Sequence, residues 1–335
     1  MGGNSPEYDV SISSGKEVVK NLNPQKYNIL PVVISKNGKK WFSISKKSFR
    51  SIDASLKDKP QGKELAIMSS SQGTNIESLT NNEKVDVVFI ALHGKGGEDG
   101  SIQGLLDLTG LKYTGSGVLA SALGMDKFIF RKLMQAEGLP IPKFLSLKKD
   151  FRLEEIEKKL KYPMFIKPNS QGSSVGTSIV KNKKELLKAL KLAFLYDDTV
   201  LVDEYLKGLE LTCAVMGNDK PITLPVVEIR PLKGEYFNYR CKYLESGSEE
   251  IVPANISRAL SDKVQDIAIR VYKAVGCRGF ARVDFILKDN KTPVILEINT
   301  IPGLTPTSLF PKAAKAAGIS YPELLDRIID NAVKS

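Results

Sequence analysis

An apolar run that leads straight into a glycine-rich loop constrains the fold of this chain more than any other feature. Residues 85–92 read VDVVFIAL, and residues 93–100 read HGKGGEDG. A run this apolar is typical of a strand buried in a parallel sheet. Ligands of open parallel sheets bind just beyond the carboxyl ends of the strands, so the loop is a candidate site by its position. We therefore predict an α/β fold.

Strand and helix patterns alternate along the rest of the chain. A helical pattern runs over residues 115–137 and ends at Gly138, with Pro140 and Pro142 beyond it. Strands are predicted at residues 27–35, 40–44, 163–168, 177–180, 199–206, 211–216, 279–288 and 293–299. Further helices are predicted at residues 183–196, 262–275 and 322–333. This order indicates an N-terminal, a middle and a C-terminal unit, each of which mixes helix and strand.

The composition excludes several classes of protein. Hydrophobic residues make up 42% of the 335 residues and charged residues 26%, which is ordinary for a globular enzyme. The apolar runs are far shorter than the roughly 20 residues of a membrane span, and the N-terminus lacks the basic and apolar regions of a signal peptide. The cysteines, Cys213, Cys241 and Cys277, form no CxxC motif, which suits a reducing compartment. We therefore expect a cytoplasmic protein with no membrane partner.

The net charge of +11 permits two interpretations. A basic chain can bind nucleic acid, but these lysines are scattered in twos and threes, many of them beside Asp or Glu. The sequence contains no basic tail and no aromatic-studded RNA-binding motif. We expect a solvated surface that attracts anions, such as a phosphate-bearing substrate, and no nucleic-acid partner.

Two strands near the C-terminus carry the clearest pattern of candidate site residues. Side chains alternate along a strand, so Arg282 and Asp284 share one face of the first strand, and Glu297 and Asn299 share one face of the second. A symmetric turn at residues 290–291 places Asp284 opposite Glu297 and Arg282 opposite Asn299. The other, core-facing side carries Val283, Phe285, Leu296 and Ile298. Two carboxylates and an amide oxygen are ligands that Mg²⁺ prefers, and a solvated, salt-bridged hairpin face is the alternative.

A lysine followed by a glycine- and serine-rich loop is the second pattern. Lys167 ends a strand, and the amides and hydroxyls of residues 168–176 suit phosphate oxygens. The loop lacks the Gly-Lys-Ser/Thr of a Walker A motif, and a plain hairpin loop is the alternative. Residues 172–176 also match the G-x-S-x-G elbow of hydrolases, which needs a histidine after the serine. His93 is the single histidine and lies far upstream, where its loop favours a role in the site.

Segments distributed over nearly the whole chain resemble one known family. They are GGNSPEYDVSISSG (2–15), HGKGGEDG (93–100), QGLLDLTGLKYTGSGVLASALGMDK (103–127), FIKPNSQGSSVG (165–176), VLVDEYLKGLELT (200–212), CKY (241–243), GFARVDF (279–285) and LEINTIPGLTPTSL (296–309). In residue type, order and spacing they resemble the D-alanine–D-alanine ligases.

The resemblance implies an ATP-grasp fold, in which a parallel-sheet N-terminal domain and two α+β domains clasp ATP. The expected domains are residues 1–116 for substrate binding, residues 117–208 as a lid, and residues 209–335 with the metal and catalytic residues. Family members usually have a strand directly before the glycine pair that is Gly2 and Gly3 here, so we expect the N-terminal sheet to lack its first strand. A homodimer is also implied.

The resemblance assigns nucleotide and metal contacts residue by residue. The residues expected to contact ATP are Lys127, Lys167, Ser174, Glu204, Leu206, Glu210 and Lys242. The expected ligands of two Mg²⁺ ions, for which Mn²⁺ can substitute, are Asp284, Glu297 and Asn299. Asp203 stands where relatives often carry a glutamate on the adenine side.

The resemblance also assigns the amino-acid substrates and the catalytic groups. Glu7 and His93 are expected to hold the first D-alanine, and Ser308 and Leu309 to line the site of the second. Arg282 and the amide of Gly303 would stabilise the developing oxyanion. A hydrogen-bonded triad of Glu7, Ser173 and Tyr243 would join two lid loops, residues 172–176 and 233–247, to the N-terminal domain.

The implied reaction joins two D-alanines at the expense of ATP, through a D-alanyl phosphate, to make the dipeptide used in peptidoglycan. In this family a tyrosine in the lid loop is associated with dipeptide formation, so Tyr243 predicts D-alanine as the acceptor. A ligase of the same fold that uses D-lactate or D-serine as acceptor is the alternative.

Overall fold

The computed structural model describes residues 1–45, 49, 63–65, 85–232 and 247–334, and within these ranges the strands form three sheets. The N-terminal elements are α1 (Tyr8–Asn21), β1 (Val32–Ile34), β2 (Trp41–Ser43), β3 (Lys63–Leu65) and α2 (Ser101–Leu108). β1, β2 and β3 form an antiparallel sheet. Among the described residues of this part, parallel pairing is limited to single bridges, Gly2 with Ile34 and Val88 with Tyr113.

The segment 85–92, which the sequence predicts as a full strand, makes only the bridge at Val88 within the described residues. Its last three residues, Ile90 to Leu92, are buried as predicted, whereas residues 85–89 are partly or fully exposed. Side chains satisfy its backbone in place of a strand ladder: Thr114 Oγ1 accepts from Ile90 N–H at 3.0 Å, and Ser11 Oγ donates to the Ala91 carbonyl. A buried backbone needs partners but not β partners, and the apolar run could not reveal which kind it has.

Residues 1–3 lie alongside β1. The Met1 ammonium donates to Val32 O at 3.1 Å, Ile34 N–H donates to Met1 O at 2.9 Å, and Gly3 N–H donates to Ile34 O at 3.1 Å. The expectation that the N-terminal sheet lacks its first strand stays a prediction.

The helix expected over residues 115–137 is two helices, α3 (Val118–Met125) and α4 (Lys127–Ala136). The break lies at Asp126, whose backbone is extended and whose carboxylate accepts from Ile129 N–H at 2.9 Å. An aspartate in this position is a preferred N-cap. The helical periodicity continues through the break and hides it from the sequence. As a result, Lys127 is the first residue of α4, where the helix dipole favours anions.

The middle unit is a four-stranded antiparallel sheet with two helices on one face. Its elements are β4 (Phe144–Leu147), α5 (Leu153–Lys159), β5 (Met164–Pro168), β6 (Ser178–Val180), α6 (Lys183–Ala193) and β7 (Val200–Glu204), in the sheet order β4-β7-β5-β6. The covered face buries Ile166, Val202 and their neighbours under α5 and α6. The opposite face carries Phe165, Lys167 and Asp203, which period-two alternation places together.

The C-terminal unit is a six-stranded antiparallel sheet with helices on both faces. Its elements are β8 (Gly208–Met216), β9 (Ile222–Thr223), β10 (Val227–Pro231), β11 (Ser248–Ile251), α7 (Arg258–Val275), β12 (Phe280–Lys288), β13 (Thr292–Asn299), α8 (Leu309–Ala316) and α9 (Tyr321–Val333), in the sheet order β11-β10-β8-β12-β13, with β9 beside β8. α7 covers one face. α8 and α9 cover only part of the other, where Ala214 and Phe280 are buried.

Within the described ranges, no helix combines the length and the apolar character needed to cross a membrane.

Candidate active site

The β12–β13 hairpin brings together the charged residues that the sequence singled out. Asp284 pairs with Glu297 and Arg282 pairs with Asn299, as predicted. The turn itself is one residue off the symmetric prediction, because Lys288 pairs with Thr292. A β-bulge between Asp284 and Phe285 restores the register on the functional side.

The bulge corrects the prediction for Leu296. Phe285 pairs with Ile295, so Leu296 is the extra residue of β13. Ile295 is fully buried in the core, whereas Leu296 is only half-buried and lines a cavity. Simple alternation places Leu296 in the core, and a single inserted residue turns it towards the site.

That cavity has a volume of about 370 Å³ and lies between the two large sheets; we call it the sheet cavity. Strands and their ends supply most of its lining. The lining includes six of the seven residues predicted to contact ATP: Lys127, Lys167, Ser174, Glu204, Leu206 and Glu210. Arg282, Asp284 and Glu297 also line it. The seventh, Lys242, lies outside the described residues, as does Tyr243.

Buried ion pairs fix the two lysines of the sheet cavity. Lys127 Nζ donates to Gln171 O at 2.8 Å and lies 3.6 Å from Glu297 Oε2. Lys167 Nζ lies 3.3 Å from Asp203 Oδ2, although relatives suggested an adenine-side role for the residue at 203. Burial, and then the charge of Arg131, lowers the pKa of Lys167 to about 8. The cavity therefore presents two ammonium groups to an anion.

A second cavity, of about 630 Å³, is lined mainly by loops and helix ends, and we call it the loop cavity. Its lining contains the described residues predicted for the amino-acid substrates and for catalysis, Glu7, His93, Ser173, Arg282, Gly303, Ser308 and Leu309, together with the predicted metal ligand Asn299. Lys127, Ser173, Arg282, Glu297 and Leu309 line both cavities. The two cavities therefore adjoin, and their shared wall carries both positive and negative charge.

Glu7 contacts the tip of the loop at residues 172–176. The Ser173 hydroxyl donates to Glu7 Oε1 although the two residues are 166 positions apart. Ser173 and Ser174 both adopt positive φ values, 50° and 58°. Glu7 and Ser173 thus meet as the predicted triad requires. The hydrolase alternative has no support here, because the described contacts of His93 do not include either serine of the loop.

His93 is buried and held on both ring nitrogens. Nδ1 lies 3.1 Å from Ile301 O and 3.6 Å from Glu98 Oε1, and Nε2 lies 2.9 Å from Ser14 Oγ. Burial is the largest influence on its pKa and acts to lower it. The hydrogen bond and charge of Glu98 and the charge of Glu7 outweigh burial, so the pKa of His93 is raised. Glu98, which the sequence analysis did not single out, is one of the two acidic residues of the HGKGGEDG loop.

The turn that precedes α8 closes the loop cavity. Thr305 N–H donates to Ser308 Oγ at 3.2 Å, and a Cβ on Gly303 would lie 2.9 Å from that oxygen. Lys312 and Glu250, which line the cavity and pair with each other, are further residues that sequence reasoning missed. Their positions, 62 apart in the chain, carry no local signal.

Arg282 and Asp284 are paired with each other. Arg282 Nε and Nη2 donate to Asp284 Oδ1 and Oδ2, each at 2.8 Å, and Thr212 Oγ1 donates to Oδ1 at 2.5 Å. Burial acts to lower the pKa of Arg282, but the adjacent Asp284 raises it further above its usual range. The guanidinium is therefore a permanent cation in the wall between the two cavities.

The donor set at the hairpin fits a hard divalent cation. Asp284 and Glu297 are directly opposite, and Asn299 lies one alternation further along the same face. Asn299 Oδ1 accepts from Ile301 N–H at 3.0 Å, which orients the amide. The described residues include no cluster of three or more histidine, cysteine, aspartate or glutamate side chains suited to a metal. The fit rests on two carboxylates and an amide, which are oxygen ligands of the kind Mg²⁺ prefers.

Comparisons with known proteins agree with this geometry. The family model described as D-ala D-ala ligase N-terminus matches residues 1–116, and the one described as D-ala D-ala ligase C-terminus matches residues 133–330. A D-alanine–D-alanine ligase of Caldicellulosiruptor bescii is 38% identical over 100% of this chain and 94% of its own length.

Two solved structures share the fold. The VanG D-Ala:D-Ser ligase from Enterococcus faecalis has a TM-score of 0.86 and 36% identity, covering 99% of this chain and 97% of its own. The D-alanine–D-alanine ligase from Bacillus anthracis complexed with ATP has a TM-score of 0.76 and 34% identity, covering 100% of this chain and 96% of its own. The fold is therefore the predicted ATP-grasp fold, and this chain belongs to the D-alanine–D-alanine ligase family.

Proposed function

We propose that this protein uses ATP to join two D-alanine molecules into D-alanyl-D-alanine. One observation carries the proposal: the sheet cavity and the loop cavity adjoin at a wall that contains Arg282, Glu297 and Lys127. A phosphate group bound in the first cavity and a carboxylate bound in the second would meet at this wall. Bringing the two reactants together in a fixed orientation supplies much of the rate in phosphoryl transfer.

The nucleotide would occupy the sheet cavity. Lys127 and Lys167 would hold its phosphates, with Ser174 in the loop above them and, by family resemblance, Lys242. Glu204, Leu206 and Glu210 would contact the adenosine. The half-buried Leu296 adds an apolar surface to the same lining.

Asp284, Glu297 and Asn299 would hold Mg²⁺, and by family resemblance two ions. Bound there, the metal would neutralise phosphate charge and orient the γ-phosphate. Asp284 would have to exchange its pairing with Arg282 for the metal. Arg282 would then be free to face the reacting carboxyl group.

The reaction would follow in two balanced steps. A carboxylate oxygen of the first D-alanine attacks the γ-phosphorus, the bond to ADP breaks, and D-alanyl phosphate forms. The amine of the second D-alanine attacks the carbonyl carbon, phosphate leaves, and the amine loses a proton. Arg282 and the Gly303 amide would stabilise the oxyanion of the second step.

The loop cavity would orient both amino acids. Glu7 and His93 would hold the ammonium group of the first D-alanine, and Ser308 with Leu309 would bind the second. Ser173, which donates to Glu7, would close the loop at residues 172–176 over the reactants, together with Tyr243. A closed loop excludes water and protects the acyl phosphate from hydrolysis.

A product assay tests the function. Purified protein with ATP, Mg²⁺ and D-alanine should release ADP and phosphate and yield D-alanyl-D-alanine, separated by chromatography. D-serine and D-lactate in competition test the acceptor, since the similar VanG fold shows that fold alone does not choose it. A preference for D-lactate at about pH 7 would refute the acceptor assignment but not ligation. Absence of D-alanine-dependent ADP release would refute the function.

We further propose the three domains at residues 1–116, 117–208 and 209–335, and action as a cytoplasmic homodimer. The separate sheets of the middle and C-terminal units support the domain limits. The thiols of Cys213 and Cys277 are free and buried, which suits a reducing compartment. Light scattering of the full chain measures the oligomeric state.

A further inference from the structure

A chain of buried charges runs from the sheet cavity into the protein behind it. Lys167 and Asp203 line the cavity, whereas Arg131 is fully buried and does not. Both terminal nitrogens of Arg131 bond the two carboxylate oxygens of Asp203, with Nη2 to Oδ2 at 2.8 Å. Lys167 Nζ is 3.3 Å from the same Oδ2. Asp203 is thus shared between a hidden cation and an accessible one.

Helix α4 explains how Arg131 reaches this position. Lys127 and Arg131 are four residues apart and lie on the same side of the helix. Phe130 and Met134 of α4 pack instead into the core beneath the six-stranded sheet. One helix therefore delivers Lys127 to the sheet cavity and Arg131 to the back of Asp203.

Burying Arg131 is costly, which argues for more than a packing role. Within the described part of the chain, its Nε has no hydrogen-bond partner. Removing a polar donor from water without giving it a partner destabilises the folded protein. The guanidinium lies 5.1 Å from the centre of the Phe144 ring, a contact that an apolar side chain could also make. What an apolar side chain cannot supply is the charge that meets Asp203.

The charge balance shows what Arg131 contributes. Arg131, Asp203 and Lys167 together carry one net positive charge, and of the two cations only the lysine lines the cavity. Without Arg131 the pair is neutral, and the full carboxylate charge would act on the Lys167 ammonium alone. The fork geometry of arginine matches both carboxylate oxygens, which a lysine cannot do.

We propose that Arg131 is a positioning residue: by holding both oxygens of Asp203 from behind, it leaves the Lys167 ammonium available to the nucleotide phosphates. The proposal rests on the proposed nucleotide site. The lowered pKa of Lys167 agrees with it. After burial, the charges that act on that pKa are Arg131 and Lys127 of α4, which lower it, and Asp203 of β7 and Glu297 of β13, which raise it.

Binding of ADP in the presence of Mg²⁺, measured by calorimetry, tests the charge balance. Arg131→Met should weaken ADP binding by about tenfold or more, the size of a lost charge-assisted interaction. Arg131→Met with Asp203→Asn restores the net charge and should recover most of the affinity. Lys132→Met is the matched control: Lys132 is exposed, next in α4, and lies over the same Phe144 ring at 5.9 Å. It should bind ADP normally.

A pH profile separates positioning from folding. In the unmodified protein, ADP affinity should fall as the pH rises through about 8, where Lys167 loses its proton. Arg131→Met should move that fall to higher pH, because the charge that lowers the pKa of Lys167 is gone. Should that variant fail to fold, Arg131→Lys keeps the charge without the fork and should bind ADP several-fold more weakly.

Each remaining result counts against the proposal. A double variant no better than Arg131→Met, an unmoved pH midpoint, an equal loss in Lys132→Met, or full affinity in Arg131→Lys would overturn the role of Arg131 and leave the nucleotide site intact. If ADP failed to bind the unmodified protein, the nucleotide site itself would be refuted, and this role with it.

Discussion

The sheet cavity and the loop cavity adjoin, but different structural elements line them: mainly strands line the first, and mainly loops and helix ends line the second. In the sheet cavity, Arg282, Asp284 and Glu297 stand on the paired strands β12 and β13, and Lys167 stands on β5 of the other sheet. Pairing registers set the separations within each sheet. In the loop cavity, Glu7 and Gly303 stand on loops drawn from opposite ends of the chain. Strand-borne groups are therefore pre-positioned by backbone pairing, whereas loop-borne groups depend on the contacts that hold the loops.

In the loop cavity, the backbones of two loops approach the Glu7 carboxylate closely. A Cβ on Gly94 would lie 2.7 Å from Glu7 Oε2, and a Cβ on Gly172 would lie 2.8 Å from it. Two loops thus close on one carboxylate, and each can do so only because it lacks a side chain there. We therefore expect the function of the sheet cavity to be lost when a charged side chain is removed. We expect the function of the loop cavity to be lost when an added side chain changes its shape.

The largest expected effect is loss of a charge on the hairpin. Glu297→Ala removes a proposed metal ligand and the partner of Lys127, so we expect kcat/KM to fall by roughly a thousandfold or more. Circular dichroism should show an unchanged fold. Glu249, an exposed carboxylate on β11, gives the control Glu249→Ala with normal turnover. Near-normal activity of Glu297→Ala at saturating Mg²⁺ would refute the expectation that the sheet cavity depends on its charged side chains.

A conservative change at Arg282 should cost somewhat less. Arg282→Lys keeps the charge but loses the fork that holds both oxygens of Asp284, and we expect kcat to fall about a hundred- to a thousandfold. Arg230 is the matched control, because it pairs with Glu228 two residues away on β10 and lines neither cavity. Arg230→Lys should leave kcat unchanged. A change confined to the KM for ATP would contradict the proposed role of Arg282.

A shape change should affect the loop cavity alone. Gly172→Ala pushes a methyl group against Glu7, so we expect the KM for D-alanine to rise roughly ten- to a hundredfold while ADP affinity is unchanged. Gly104→Ala is the control, since a Cβ there meets only Val118 at 3.8 Å. Steady-state kinetics and calorimetry measure the two quantities. Equal losses in D-alanine and ADP binding would mean that the two cavities do not respond independently.

The smallest expected effect is on the pH dependence of stability. The folded-state pKa of His93 is raised, so the stability that protonated His93 contributes is present below its ordinary value, about 6.5, and is lost as the pH rises through the raised value. Glu98→Gln removes the main cause. The free energy of unfolding of the unmodified protein should exceed that of this variant by more at about pH 6 than at about pH 8.5.

Urea denaturation at both pH values measures this difference, with the exposed Glu137→Gln as control. A difference that grows with pH would show that the proton is not held by the His93–Glu98 pair.

The sequence by itself determined the strand-borne part of the site. Period-two alternation is a local property, so residue spacing places Arg282 and Asp284 on one face of their strand and Glu297 and Asn299 on one face of the next. The cross-strand pairs were predicted from a symmetric turn, and they hold because the bulge offsets the one-residue shift of that turn. Segments such as residues 165–176 and 279–285 carried the family resemblance, and with it the ATP-grasp fold and the candidate site residues that line both cavities.

Only the tertiary structure decided what depends on partners distant in the chain. The bulge that turns Leu296 into the sheet cavity changes one residue in a pattern that otherwise alternates. Among the described residues, only Val88 of the segment 85–92 has a β-bridge partner, whereas the Ile90 N–H and the Ala91 carbonyl bond the side chains of Thr114 and Ser11. Arg131 meets Asp203 across 72 positions, and no local pattern marks it, because an arginine on an amphipathic helix ordinarily faces solvent. Such contacts depend on how whole helices and strands pack against one another. The sequence determines that packing, but no local sequence pattern reveals it.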